Sequence, residues 1–450
     1  MAALVVRFVL AGDASFTYNE ATYVELAAHP WWSAYYPDTV FVRHPPVAFL
    51  LLSVWTGLFG ADEAVVRFLA LLATAAGVWA VWDAVRRMAG PVAALFAGVI
   101  LAAAFPLHAY SLQATMYPFA FAFAAFAVWA RAAGRTMLEG WMYAGLALTH
   151  LFGFLFLALW AFGRRHELGR VLAVVALPAL WLVAAAVVAL IVNTEGDVMR
   201  LGPIGQAVRG ARTAEKAVAV APLVHLAAGL MAWWTLNPVL AGVAWGLRGR
   251  FVAWTVAVVF LGAYFFIAAP FPRYALIPLP MVVLVGLVAL MDRPLVCRGR
   301  KRAFQAVAVV VVALSSLPLG FVYLEHGPDP RAAGDVPGVQ EWQAAVALVP
   351  DEAGIIATSG PTATAYYLGQ AGWQVVDRSE APYRIVLERD DVLREVVRLD
   401  APSDLDGPDA VAAEAWVVPD HWSGVADDVV RTGLRTCGEA KGLIVYAGAC

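Results

Sequence analysis

From Phe251 to Ala269 the chain reads FVAWTVAVVFLGAYFFIAA, nineteen residues without a formal charge. As a helix rising 1.5 Å per residue, such a stretch is about 28 Å long, close to the thickness of a bilayer's hydrocarbon core. The run Ala303–Leu324 repeats the pattern. Composition extends the reading to the whole chain. Of 450 residues, 62% are hydrophobic and 14% charged, and the mean hydropathy is +0.71. A soluble domain carries roughly 45–50% apolar and about 25% charged residues. A wholly soluble protein is therefore excluded, and the apolar runs are too many for a signal peptide or a single anchor. The expected fold class is a polytopic α-helical membrane protein.

Charge divides the chain. Residues 1–324 hold 22 Lys and Arg against 13 Asp and Glu, whereas residues 325–450 hold 9 against 21. A membrane domain, 1–324, is thus expected to precede an acidic soluble domain, 325–450. Lysine is confined to Lys216, Lys301 and Lys441, and the other 28 basic residues are arginine; an acidic, lysine-poor surface suits a halophile or a high-GC genome. Nothing in the charge pattern points to nucleic acid as a partner.

Basic clusters stay on the cytoplasmic side of a membrane. They lie at Arg86–Arg87, Arg131–Arg135, Arg164–Arg170, Arg248–Arg250 and Arg293–Arg302. Pairs of crossings between them are Val92–Leu107 with Tyr117–Ala130, Leu138–Thr149 with Phe152–Phe162, Val171–Val192 with Leu236–Leu247, and Phe251–Ala269 with Ala275–Met291. An N-terminal span, Ala64–Val85 and Ala303–Tyr323 bring the expected number to about eleven. The arrangement suits a multi-pass protein of the cell membrane, with loop 12–62 and the C-terminal domain outside. Met1–Leu10 is short for a span and contains Arg7, which favours a true start upstream over a half-length helix.

The tail reads as a small α/β domain. Gly354–Ser359, Trp373–Arg378, Ala415–Pro419 and Leu443–Ala447 are expected strands, with helical stretches at Gln340–Val349 and Trp422–Thr436. Asp404-Leu405-Asp406 sits in a Pro/Gly/Asp-rich stretch and reads as a turn. Cys437 and Cys450 lie on the oxidising side, either as a disulfide or as two thiols, while Cys297 lies inside.

The outer loop 12–62 concentrates chemistry: Asp13, Asn19, Glu20, Glu25, His29, Asp38, Arg43 and His44, with Trp31, Trp32, Tyr35 and Tyr36. By this topology seven of the eight histidines, all but His166, lie at or near the outer side. Any reaction centre should face outward.

Several pieces recur in a familiar order. Arg7-Phe8 and Thr17-Tyr18-Asn19-Glu20-Ala21 are followed by His44-Pro45-Pro46-Val47 and by Leu58-Phe59-Gly60-Ala61-Asp62-Glu63-Ala64-Val65-Val66-Arg67. Phe105-Pro106, the helix pair around Thr149-His150, Arg273-Tyr274-Ala275-Leu276-Ile277-Pro278, and Tyr366-Tyr367-Leu368 in the outer domain come after. The succession resembles the GT-C membrane glycosyltransferases, in particular the branch with the protein mannosyltransferases and lipid A sugar transferases. The resemblance spans nearly the whole chain. It implies transfer of a sugar from a polyprenyl (dolichyl) phosphate carrier to a glycan, lipid or protein acceptor at the outer membrane face.

Such a reaction has physical requirements. The phosphate leaving group needs cations or a metal rather than a general acid. The acceptor hydroxyl needs a base. The carrier needs an apolar groove among membrane lipids. By the resemblance, Glu20 holds the second position of the family's Asp-Glu motif, and Asn19 stands where the catalytic aspartate is usual. An amide cannot act as base, so Glu20 or Asp13 takes over, or activity is lost. His44, His150, Arg273, Tyr274 and Tyr117 are the candidate substrate contacts. No resident cofactor is implied, and a divalent metal stays open. Relatives in one branch carry an arginine where this chain has Thr115.

Each candidate also has a structural alternative. Glu20 could pair with Arg43, Arg273 could snorkel to headgroups, and His150 could simply end a helix. Asp62-Glu63 reads as a helix cap plus a Glu63–Arg67 pair, and Asp83 as the partner of Arg86 and Arg87. An inactive GT-C-like binder of lipid-linked sugar is the second reading. A secondary transporter is the third; the chain carries no inverted repeat and no unpaired mid-span acid that would favour it. The tail could select the acceptor, brace the outer loops or cover the mouth of the site.

Overall fold

A computed structural model of the chain describes residues 2–11, 16–28, 45–104, 107, 110–151, 153–192, 276–277, 279–281, 283–284, 287, 342–358, 361–380, 383–390, 392–399, 413–419, 435–440 and 443–447. The expected spans Leu236–Leu247, Phe251–Ala269, Ala303–Tyr323 and most of Ala275–Met291 lie outside them. So do Asp404–Asp406. The chain forms two compact units. One comprises Met1–Val9, Leu26–Gly60 and Val65–Pro328; the other comprises Leu10–Glu25, Ala61–Ala64 and Asp329–Cys450.

The helices are, in order, α1 (Ala2–Ala11), α2 (Tyr18–Ala27), α3 (Val47–Phe59), α4 (Glu63–Ala89), α5 (Pro91–Ala103), α6 (Met116–Ala132), α7 (Thr136–Ala147), α8 (Gly153–Gly163), α9 (Leu168–Val192), α10 (Trp342–Val346) and α11 (Pro361–Gln370). Helices α4 to α9 fall where the hydropathy pattern expects membrane segments. Glu63–Ala89 and Leu168–Ala185 are long and apolar enough to cross a bilayer. Val47–Phe59, Pro91–Ala102, Met116–Ala132 and Gly153–Gly163 are shorter apolar helices. Helix α3 lies within the expected outer loop 12–62, and its sequence VAFLLLSVWTGLF carries no charge. All six charged residues of the segment lie in the flanks of this helix.

Large apolar side chains face outward on the first unit. Val54 on α3, Leu95 on α5 and Leu180 on α9 are 64, 67 and 66% exposed. Such extended apolar surface suits lipid rather than water. Inside, α6, α7 and α8 meet through small residues, including Ala120, Ala124, Ala144 and Ala147, against which Phe156 and Trp160 pack. Close approach through alanine and glycine is how helices gain contact in a medium where burial alone gives little. Gly140 is such a position: a Cβ there would meet the Trp160 ring. Gly60, at φ 94°, ends α3 with its N–H on the Thr56 carbonyl. As expected, Asp83 pairs with Arg86 and Arg87, and it also accepts the Trp129 indole N–H at 2.9 Å.

The C-terminal part of the second unit carries a seven-stranded sheet. Its strands are β1 (Ile355–Thr358), β2 (Gln374–Glu380), β3 (Tyr383–Arg389), β4 (Val392–Arg398), β5 (Ala415–Pro419), β6 (Arg435–Ala440) and β7 (Leu443–Ala447). The spatial order is β2-β3-β4-β1-β5-β7-β6. β1 runs parallel to both β4 and β5, and the remaining pairs are antiparallel. Central strands read as unbroken apolar runs because both their faces are buried: β7 is buried at every position. Trp416 and Tyr446, side by side on β5 and β7, fill the core. Four strands lie where the sequence pattern puts them, and β3, β4 and β6 are additional. The helix expected at Trp422–Thr436 is corrected at its end, since Arg435 and Thr436 belong to β6. Cys437, on that strand, is in a disulfide; Cys297 and Cys450 lie outside the described residues.

Candidate functional site

Two of the expected substrate contacts come together in the first unit. Tyr117 lies in the first turn of α6, and His150 ends the tight turn between α7 and α8. Their rings are 5.8 Å apart at 48°. Both are buried, at 5 and 6% exposure. The turn is fixed from several sides: the His150 N–H donates to the Leu146 carbonyl at 2.8 Å, the Gly153 N–H to the His150 carbonyl at 2.8 Å, and the Thr149 hydroxyl to the Gly145 carbonyl at 2.7 Å. Gly153 admits no side chain, because a Cβ would lie 2.3 Å from the Ala147 backbone nitrogen. The Val47 N–H, at the start of α3, donates to the Leu148 carbonyl at 2.9 Å. The helix that follows His44-Pro45-Pro46 therefore abuts the His150 turn.

A second feature of this unit is the segment 111–115, buried throughout although it is not helical. Irregular backbone among membrane helices persists only where protein or a polar cavity surrounds it. Here the Ser111 carbonyl accepts the Thr74 hydroxyl from α4 at 2.9 Å, and Thr115 points its hydroxyl at Gln113 Oε1, 3.4 Å away. Gln113 and Thr115 thus stand directly before Tyr117; Thr115 is the position where relatives in one branch carry arginine, and Gln113 is a buried polar neighbour that the sequence reading did not single out. Ile277, three residues after Tyr274, is buried against α6, α7 and α8. Arg273 and Tyr274 themselves, with His44 and Asp13, lie outside the described residues.

The candidate carboxylate is in the second unit, on α2. Glu20 is fully buried. Its Oε2 accepts the Thr17 N–H at 3.0 Å, while the Thr17 hydroxyl oxygen accepts the Glu20 N–H at 3.2 Å. This reciprocal pair is a capping box, which closes the first turn of a helix by satisfying two otherwise unpaired backbone donors. The Thr-x-x-Glu spacing of residues 17–20 carries that signal in the sequence, where the composition of the loop obscures it. Asn19, beside it, is half-buried.

Around this helix start lies a further set of groups. Tyr367 of α11 accepts the Phe16 N–H on its hydroxyl oxygen and donates its proton to Glu63 Oε1 at 2.7 Å. Tyr366 donates to the Ala61 carbonyl at 3.2 Å. Burial, and after it the charge of Glu63, push both phenols well above the ordinary tyrosine range, so both remain protonated donors. Glu63 therefore has a partner that its helical spacing to Arg67 did not suggest. Among the described residues no group of three or more His, Cys, Asp or Glu side chains is arranged to hold a metal ion.

Residues 43–194 match the family described as dolichyl-phosphate-mannose-protein mannosyltransferase. The whole chain superimposes on ArnT from Cupriavidus metallidurans bound to undecaprenyl phosphate, with a TM-score of 0.54, 16% identity and coverage of 97% of that chain. The chain has the GT-C fold. ArnT in the apo state superimposes with a TM-score of 0.50 at the same identity, over 96% of its length. No curated protein matches the sequence significantly. The residues that the family model matches include α3 to α9 in full, with both Tyr117 and His150.

Proposed function

We propose that the protein is a membrane glycosyltransferase that moves a sugar from a polyprenyl-phosphate carrier to an acceptor at the outer membrane face. The observation that carries this reading is the correspondence of the entire chain to a GT-C structure holding undecaprenyl phosphate. The paired Tyr117 and His150, beside the buried segment 111–115 with its Ser111, Gln113 and Thr115, support it as a place for a polar headgroup. About eleven spans, a cytoplasmic side lined by the arginine clusters and an outer C-terminal domain complete the proposal.

In the proposed reaction the acceptor oxygen attacks the anomeric carbon, the bond from that carbon to the phosphate oxygen breaks, and the hydroxyl proton passes to a carboxylate. Glu20 or Asp13 serves as that base, with Asn19 in the place relatives give to aspartate. Arg273, His44 and His150 offset the charge left on the phosphate, because a phosphate departs as an anion and needs donors rather than a proton. Tyr117 and Tyr274 flank the sugar or headgroup. The described residues offer no group of three or more His, Cys, Asp or Glu for a metal ion.

A second reading, a GT-C-like protein that binds lipid-linked sugar without transferring it, is favoured by Asn19 and by the use of the Glu20 carboxylate in the capping box. The deciding experiment is sugar transfer by purified protein in lipid vesicles, with a panel of polyprenyl-phosphate sugars and acceptors, with and without divalent cation. Turnover that collapses in Glu20→Gln or Asp13→Asn supports the transferase and identifies its base. Saturable binding without turnover supports the second reading.

A further inference from the structure

We propose that Tyr367 is a positioning residue: its hydroxyl clamps the helix start that carries Asn19 and Glu20 to the C-terminal sheet domain. The proposal rests on the transferase reading for its consequence in catalysis, and on geometry alone for the clamp.

Three segments far apart in sequence meet at one oxygen. Phe16 donates its N–H to the Tyr367 hydroxyl across 351 residues, and the same hydroxyl donates to Glu63 across 304. Tyr366 repeats the attachment one residue earlier, through the Ala61 carbonyl. Its ring also meets that of Phe16 edge-on, at 5.4 Å and 74°. Phe16 is fully buried and Tyr367 is 4% exposed, so water does not compete for these bonds. All the groups belong to the same compact unit.

The link to the candidate base is short. Phe16 is followed by Thr17, and Thr17 holds the Glu20 carboxylate in the capping box. From Tyr367 to Glu20 the path is one hydrogen bond, one peptide unit and one further hydrogen bond. If only volume were needed at position 367, phenylalanine would fill it without the penalty of burying a hydroxyl. Both the donor and the acceptor capacity of this hydroxyl are used, which is what a joint between two chain segments requires. Of the three roles the sequence leaves to the C-terminal domain, this geometry assigns bracing.

The test uses the full chain reconstituted in lipid, with amide hydrogen exchange read by mass spectrometry over residues 10–28 and over α6 to α8 as an internal reference. In Tyr367→Phe, exchange over 10–28 is expected to rise about ten-fold while the reference stays unchanged; unchanged exchange over 10–28 overturns the clamp. In the transfer assay the same variant is expected to lose about ten-fold in kcat, with KM for the donor within about two-fold, the signature of misplacement rather than lost binding. Unchanged kcat beside faster exchange overturns the positioning role.

Glu63→Gln keeps an oxygen acceptor for the Tyr367 hydroxyl and should retain most of both readouts. Glu63→Leu should behave like Tyr367→Phe, and the double variant should be no worse than either single one; additive losses overturn the joint. Should Tyr367→Phe fail to fold, the two Glu63 variants carry the test. If the wild type turns over no donor, the transferase reading falls, while the exchange result still decides the clamp.

Discussion

Glu20 has two roles to separate, helix cap and candidate base, and their magnitudes differ enough to do so. The capping box needs an oxygen acceptor at position 20 and a hydroxyl at position 17. Glutamine serves in such a box as glutamate does, so Glu20→Gln keeps the cap and removes the proton-accepting charge. Thr17→Ala does the reverse. Losing a capping side chain costs about 1 kcal/mol, about a five-fold shift in the local folded-to-open ratio of a ten-residue helix. Losing a general base costs about 10²–10⁴-fold in rate.

If Glu20 is the base, Glu20→Gln loses at least about 100-fold in kcat with little change in exchange over 10–28. Thr17→Ala then raises that exchange about five-fold and loses only a comparable factor in kcat. The assay is initial-rate transfer in vesicles, paired with exchange on the same preparations. The reasoning is refuted if Glu20→Gln turns over like the wild type, which makes Glu20 structural and shifts the base to Asp13. It is equally refuted if Thr17→Ala falls as far as Glu20→Gln.

Other outcomes follow from the same geometry. Gly153→Ala is expected to abolish stable reconstitution or to displace the His150 turn, since the new Cβ meets only backbone of α7, which cannot move aside. Gly57→Ala, with nothing within 4 Å, should be neutral or gain about 1 kcal/mol from helix propensity; thermal melting in detergent compares the two, and equal effects would refute the packing argument. The raised pKa values of Tyr366 and Tyr367 predict a pH dependence. Folding favours the protonated phenols, so their contribution is complete below the unfolded tyrosine value of about 10 and fades as pH rises through the folded values. Exchange over 10–28 should therefore, after correction for its intrinsic pH dependence, be flat from about pH 6 to 9 and rise above about 10. The rise should shrink in Tyr367→Phe; an identical rise in both proteins would sink the attribution.

Much of this architecture is legible in the chain itself. Apolar runs, of which only those of α4 and α9 are of membrane length, place α4 to α9 within a few residues, and arginines between them mark the ends because charge is costly in hydrocarbon. Asp83 with Arg86 and Arg87 is readable from helical spacing alone. Buried strands such as Ala415–Pro419 and Leu443–Ala447 announce themselves by continuous apolar sequence. β3 and β4 do not, since Arg384, Glu388, Arg394 and Glu395 interrupt them and pairing with neighbours keeps them extended. Helix α3 is hidden in a segment read as a loop because all six charged residues of that segment lie in the flanks of the helix.

What the tertiary structure decided is which distant groups share a place. Tyr117 lies on α6 and His150 in the turn between α7 and α8, and only the packing of that helix against that turn brings their rings together. Glu63 looks like a helix-surface partner of Arg67, yet the fold delivers a tyrosine hydroxyl from 304 residues away. Thr17 and Glu20 are close in sequence, but their reciprocal bonds matter because Phe16 is anchored to Tyr367. Local pattern reports on secondary structure and depth in the membrane, both set by neighbours along the chain. The position of a functional side chain is set by hydrogen bonds between segments that sequence order keeps apart.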